Sequence, residues 1–282
     1  MAFLEVEYVS KYFPEAGGRQ LCVFKDVRLH IEKSEFVTTV GHSGCGKSTL
    51  LNIIAGLEEA SAGAIILDGK ETDTPGLDRM VVFQNFSLLP WMSVYENIRL
   101  AVKAAFADWP AQKINDYVQR YVNMVGLAGS EHKKPAALSG GMRQRVGLAR
   151  AFAVQPKVLL LDEPFAQIDA LTRGTIQDEL MRMWTATRNT VFMVTHDVEE
   201  AILLSDKIAL MTSGPSAELA EVVEIKFPRP RVREEILDLP EFIRIKKHII
   251  QFLKNCAREQ PVESSTLNAD AVVVARQIGV ET

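Results

Sequence analysis

Gly41-His42-Ser43-Gly44-Cys45-Gly46-Lys47-Ser48, followed by Thr49, decides the reading of this 282-residue chain. The stretch has the form G-x-x-x-x-G-K-[ST]. It lies between an apolar run, Phe36 to Val40, and a helix-like run that begins at Lys47 and stops at Gly56. Strand, glycine-rich turn and helix together make a phosphate cradle. The glycines let main-chain N–H groups turn toward an anion, and the helix presents the positive end of its dipole. The loop is expected to wrap a β-phosphate, with Lys47 reaching the β- and γ-phosphates and Ser48 ligating Mg²⁺. A dinucleotide turn of the G-x-G-x-x-G kind is excluded, because Thr49 stands three places after Gly46.

A second apolar run, Lys157-Val158-Leu159-Leu160-Leu161, ends in the paired carboxylates Asp162 and Glu163. Alone, such a pair reads as a solvated loop. Beside a phosphate loop it reads as a Mg²⁺-holding Asp162, acting through water, and a Glu163 that polarises the attacking water. Between the two motifs, Leu138-Ser139-Gly140-Gly141-Met142-Arg143-Gln144-Arg145 leads into another helix. A Ser-Gly-Gly turn there can be a plain N-cap. It is also a second anion-binding helix end, which suits a protein that grips phosphate twice.

Working outward, residues 3 to 90 are dominated by short strand-like runs, among them Leu4 to Val9, Glu35 to Val40, Ala64 to Leu67 and Met80 to Phe83. From about 91 to 155 the pattern turns helical. Ile114, Val118, Tyr121, Val122 and Val125 fall at helical spacing after Asp108-Trp109-Pro110, and Arg143 to Ala153 is helix-like. Strand patterns return at Lys157 to Leu161, Thr190 to Thr195 and Lys207 to Met211, with a helix marked by Ile176, Leu180, Met183 and Trp184. That alternation predicts a parallel sheet with crossover helices. Val223, Ile225 and Phe227 suggest one more strand, Phe227-Pro228-Arg229-Pro230 a linker, and Phe242, Ile245, Ile249, Phe252 and Leu253 one face of a C-terminal helix, about Pro240 to Asn255. From about Arg258 onward no pattern emerges.

Composition sets limits. With 32 Lys+Arg against 36 Asp+Glu, the net charge of −4 provides no basic excess for neutralising nucleic-acid phosphates. Three cysteines without metal-type spacing fit a reducing compartment. Met1 to Glu7 lacks the basic flank and apolar stretch of a signal peptide, and no apolar run approaches the ~18 residues of a spanning helix. The chain is expected to be cytosolic.

Over about residues 4 to 227, the order and spacing of these motifs resemble the ATP-binding subunit of ABC transporters. The resemblance implies an α/β fold, a P-loop NTPase cassette with a mixed, mainly parallel sheet core, an N-terminal antiparallel β subdomain and a helical insertion. Residues 1–227 would form the nucleotide-binding domain, and 228–282 a linker, an amphipathic helix and a flexible tail. ATP and Mg²⁺ are the implied cofactors. Gly41 through Thr49 (Gly41, His42, Ser43, Gly44, Cys45, Gly46, Lys47, Ser48, Thr49) would hold the nucleotide, with Phe13 stacking on adenine where Tyr is commoner. Glu163, His196 and Gln84 would be catalytic, and Ser48, Gln84 and Asp162 would serve the metal. Ser139, Gly140 and Gly141 would touch ATP held by the loop of a second subunit, with Asp169 near the same interface. Met142 replaces the usual Gln, and Ala166-Gln167-Ile168-Asp169 departs from the family's smaller residues before the Asp.

The implied partners are integral membrane permease subunits, a second ATPase subunit and an extracytoplasmic solute-binding protein, with no nucleic acid. The implied location is the cytoplasmic face of the inner membrane. Asn85 to Trp91, rich in large apolar residues, is either the permease dock or an internal cluster. Among importers, the motifs look most like those for nitrate, nitrite, bicarbonate and cyanate, with sulfonate and taurine importers as the alternative. A soluble P-loop kinase or GTPase has no need for Leu138 to Gly141, and no Asn-Lys-x-Asp guanine reader is present.

Overall fold

The computed structural model describes residues 2–258. Its first layer is an antiparallel sheet. Strand β1 (Leu4–Pro14) pairs with β2 (Gln20–Ile31) on one side and β4 (Ala62–Leu67) on the other, and the two-residue β5 (Lys70–Glu71) follows β4. Alternation places Leu4 and Val6 on the inner face, opposite Leu29 and Ile31 of β2, while Glu5, Glu7 and His30 face outward. The second half of β1 and the whole of β2 extend beyond the runs expected from sequence. Register shifts between Val6 and Tyr12 break the strict period there.

The second sheet has six strands in the order β10-β9-β3-β8-β7-β6. Its parallel body consists of β6 (Arg79–Val82), β7 (Val158–Asp162), β8 (Thr190–Thr195), β3 (Phe36–Val40) and β9 (Lys207–Met211). Every residue of β3 and β8 is buried, as expected where both sheet faces are covered. β10 (Leu219–Glu224) closes the edge antiparallel to β9. It begins four residues before Val223 and stops short of Ile225, which corrects the expected strand through Phe227. The carbonyls of Ile225 and Phe227 are taken instead by the Arg231 guanidinium, so the ladder cannot continue.

Between the sheets, α1 (Lys47–Ala55) follows the phosphate loop and ends on Gly56, whose φ of 72° is a left-handed cap that glycine reaches without strain. The helical region contains α2 (Val94–Ala105), α3 (Ala111–Met124), a 3-10 turn at Pro135–Ala137 and α4 (Gly140–Ala153). Ser93 and Glu96 form a reciprocal capping box that starts α2. Ile114, Val118, Tyr121 and Val122 bury one face of α3, as their spacing predicts. α4 starts at Gly140 rather than near Arg143, because Ser139 caps it. α5 (Ala170–Thr187) buries Ile176, Leu180, Met183 and Trp184, and α6 (Val198–Leu204) follows β8.

The segment after β10 is tied down. Arg229 donates to Asp206 Oδ1 and to the Leu204 carbonyl, each at 2.7 Å. Arg231 donates to the carbonyls of Ile202, Leu203 and Ser205 at 3.0, 3.1 and 2.7 Å, satisfying acceptors that the end of α6 leaves without helical partners. α7 (Arg233–Ile236) and α8 (Pro240–Arg258) then lie against the cassette. Phe242, Ile245 and Ile249 are buried, Lys246 pairs with Glu199, and His248 pairs with Glu221. The expected flexible tail lies outside the described residues beyond 258. Among the described residues, no helix is long and apolar enough to cross a membrane.

Candidate active site

The sheet order makes neighbours of the C-terminal ends of β3, β8, β7 and β6, which carry Gly41, His196, Asp162 with Glu163, and the approach to Gln84. Crevices outside the carboxyl ends of parallel strands are where such sheets bind ligands. The phosphate loop is shaped by close packing. A Cβ on Gly46, where φ is 94°, would stand 2.6 Å from Phe24 and 2.7 Å from Val23, so only glycine fits. Lys47 is buried, and its Nζ donates to the carbonyls of Gly41 and His42 at 2.8 and 2.9 Å. No side chain caps α1, whose first N–H groups therefore face the loop. Ser43 and Gly44 are exposed, and Thr49 is half-buried.

Ser48 Oγ donates to Asp162 Oδ1 at 2.8 Å, joining the two motifs that lie 114 residues apart. Burial raises the Asp162 carboxyl pKa above its usual range, with Glu163 adding to the shift; the Ser48 bond and the Lys47 charge oppose it. Glu163 has a φ of 43°, a strained value for a residue with a Cβ. Its N–H donates to the Val194 carbonyl at 3.0 Å, which holds the turn, and its Oε2 lies 3.1 Å from His196 Nδ1. Gln84 is exposed, two residues beyond β6. Phe13 is 37% exposed, with Lys11 Nζ 4.8 Å from its ring centroid, and lies opposite Leu21 on the hairpin whose Val23 abuts Gly46.

These groups fit a nucleoside triphosphate with Mg²⁺. A hydroxyl and a carboxylate converge as hard oxygen ligands, and an ammonium and an uncapped helix end stand beside them. The structure does not bring the remaining expected residues to this loop. Ser139 Oγ accepts from Met142 N at 3.2 Å as an N-cap. A Cβ on Gly140 would lie 3.2 Å from the Gln167 carbonyl, and one on Gly141 2.8 Å from Thr172, so the turn packs on the start of α5. Asp169 caps α5 by accepting from Thr172 N at 3.0 Å, a bond that lowers its carboxyl pKa. Among the described residues, no hydrogen bond joins Ser139, Gly140, Gly141 or Asp169 to the phosphate loop.

The apolar segment after Gln84 is divided between its two readings. Phe86 is buried, whereas Trp91 is 65% exposed. Asn97, fully inside α2, holds the segment by accepting from Leu89 N at 2.9 Å and donating to the carbonyls of Leu89, Met92 and Ser93. Sequence reasoning did not single out Asn97. It also missed the bond between His42 Nε2 and the Leu253 carbonyl, 2.8 Å, and the buried Glu200 behind His196. His42 occupies a variable position of its motif, and nothing local signals a partner 211 residues away.

The profile of the family described as ABC transporter matches residues 24–166. The chain is 46% identical over 275 residues to the nitrate import ATP-binding protein NrtC of Synechococcus elongatus, covering 98% of this chain and 42% of that protein. It is also 46% identical over 253 residues to the bicarbonate transport ATP-binding protein CmpD of the same species, covering 90% of this chain and 91% of CmpD. The chain thus spans less than half of the longer relative and nearly all of the shorter. A dimeric structure of MJ0796, a bacterial ABC transporter cassette, superposes with a TM-score of 0.71 at 29% identity, over 80% of this chain and all of that one. On the profile, the length of the match and the shared fold, this chain belongs to the ABC transporter family.

Proposed function

We propose that the chain binds and hydrolyses ATP as one half of a head-to-tail pair of cassettes and thereby powers uptake of a small inorganic anion, nitrate or bicarbonate, through a membrane permease. The observation that carries this reading is the convergence at one sheet edge of Lys47, the Ser48–Asp162 pair and the Glu163–His196 pair.

Each residue has a task that its chemistry suits. Lys47 and the N–H groups of α1 hold the phosphate tail. Ser48, and Asp162 through water, would hold Mg²⁺, with Gln84 serving the same metal; when bound, the metal would neutralise phosphate charge and orient the γ-phosphate. Glu163 accepts a hydrogen bond from the attacking water, and its strained turn fixes the direction of that bond. His196 bridges Glu163 and the γ-phosphate. Phe13 offers a face to the adenine. Among the described residues, Ser139, Gly140 and Gly141 make no hydrogen bond to their own loop, which supports a second cassette, identical or a paralogue, completing each site. ATP then favours the closed pair because it touches both halves.

The identity to nitrate and bicarbonate relatives supports the anion assignment, with the permease docked near the exposed Trp91 at the cytoplasmic face and a solute-binding protein on the other side. The test is ATPase activity of the chain reconstituted with the permease and binding protein from its own system. Stimulation by nitrate or bicarbonate is expected. Stimulation only by taurine or other sulfonates would overturn the anion assignment, and a chain that binds no ATP would overturn the whole reading.

A further inference from the structure

Thr195 is the last residue of β8, and its hydroxyl is buried and engaged on two sides. Oγ1 donates to Glu200 Oε2 at 2.5 Å and accepts from Asp197 N at 3.1 Å. Asp197 Oδ1 in turn accepts from Glu200 N at 3.1 Å. The turn that carries His196 is therefore closed by three hydrogen bonds, none of which uses the imidazole. The second oxygen of Glu200 accepts from Gln177 Nε2 of α5 at 2.8 Å, and Gln177 Oε1 accepts from Arg233 Nη2 of α7. The guanidinium lies over Gly174 of α5, where a Cβ would make only ordinary contact, 3.7 Å from Arg233 Nε. Thr195, Glu200 and Gln177 are all buried.

Burying a carboxyl group is unfavourable, and an apolar pair would fill the same volume without that desolvation. Hydrogen bonds, unlike apolar contacts, fix direction, and a 3.1 Å contact from an exposed imidazole to Glu163 needs direction. We propose that Thr195 and Glu200 are positioning residues that hold His196 against Glu163, and that Gln177 and Arg233 tie this setting to the C-terminal arm of residues 228–258. The arm would thereby act on turnover rather than on nucleotide binding. This inference rests on the reading that Glu163 and His196 act at the γ-phosphate.

The test compares Thr195→Val, Thr195→Ser and Arg233→Met in the full chain, measuring ATP Kd, kcat and the side-chain nitrogen resonances of His196, assigned with His196→Ala. Thr195→Val is expected to keep Kd within about twofold and to lower kcat about tenfold, and Thr195→Ser to restore kcat to within about threefold. Arg233→Met, at a half-buried position, is expected to lower kcat about threefold. Thr195→Val and Arg233→Met should also move the His196 resonances without any nucleotide present. Equal losses in the Ser and Val variants would mean that volume matters and the hydroxyl does not, which overturns the proposal. Unshifted resonances overturn it as well. If Thr195→Val does not fold, Arg233→Met decides by the same two readouts. If the wild-type chain hydrolyses no ATP, the functional reading fails, and the resonances alone decide the inference.

Discussion

His42 Nε2, inside the phosphate loop, donates to the main-chain carbonyl of Leu253 on the C-terminal helix at 2.8 Å. The glycine-rich loop is thus braced from outside the cassette motifs. Cys45, three residues further along the loop, is fully buried, and burial raises its thiol pKa, so it should react slowly. His42→Ala is expected to speed alkylation of Cys45 about tenfold, a loss of about 1.4 kcal/mol of local protection. Mass spectrometry of the labelled chain checks this, with the half-buried Cys22 as internal reference.

In the proposed mechanism Glu163, held 3.1 Å from His196 Nδ1, is the acceptor for the water proton. Glu163→Gln is expected to leave ATP affinity within about threefold of wild type while turnover falls about 10²-fold or more. Single-turnover hydrolysis and equilibrium binding separate the two quantities. Turnover at the wild-type rate would remove Glu163 from that role.

Two glycines should respond differently to alanine. At Gly141 the new Cβ would stand 2.8 Å from Thr172 and 3.2 Å from Ile176, so α4 and α5 must separate, at a cost of about 1–3 kcal/mol. At Gly44 the Cβ meets nothing within 4 Å, and only the φ of 82° opposes it, at about 1 kcal/mol. Thermal unfolding should rank Gly141→Ala below Gly44→Ala.

Arg231 serves the carbonyls at the end of α6 with a guanidinium fork that is almost wholly buried, and burial lowers its pKa to about 10. Arg231→Met leaves those acceptors dry and is expected to cost about 2–3 kcal/mol. Arg231→Lys should rescue little, because one ammonium cannot reach the same set of acceptors. Denaturant midpoints measure both.

Glu200 gives a pH signature. Burial raises its carboxyl pKa from 4.5 to about 7, against the opposing hydrogen bond from Thr195. The folded chain therefore holds this proton more tightly than the unfolded chain does. The resulting stability is full below about pH 4.5 and is lost as pH rises through about 7. Glu200→Gln carries no such charge, so its melting temperature relative to wild type should climb between pH 5 and pH 8. A constant difference would show that Glu200 does not titrate there.

Much of this molecule is legible along the chain, because its signals are local. Gly46 before Lys47, Gly56 after α1, and Ser139 before α4 each declare a turn or cap through backbone chemistry that a single residue dictates. The apolar runs at β3, β7 and β8 announce buried parallel strands for the same reason. The extent of β2 and the end of β10 are not legible, since the first is set by pairing with an irregular β1 and the second by the Arg231 guanidinium taking the carbonyls beyond it.

The sequence by itself determined the phosphate loop, the paired carboxylates, the Ser-Gly-Gly turn and hence the class of fold, because each is a short motif whose spacing is its function. Only the tertiary structure decided that Ser48 meets Asp162, that His196 faces Glu163 over a buried Thr195–Glu200 clamp, and that Arg231 and Leu253 bind the C-terminal arm to the cassette. Apart from the Thr195–Glu200 pair, five positions apart, those contacts join residues 26 to 211 positions apart. Sheet order and side-chain burial place them, and no pattern confined to one segment encodes either.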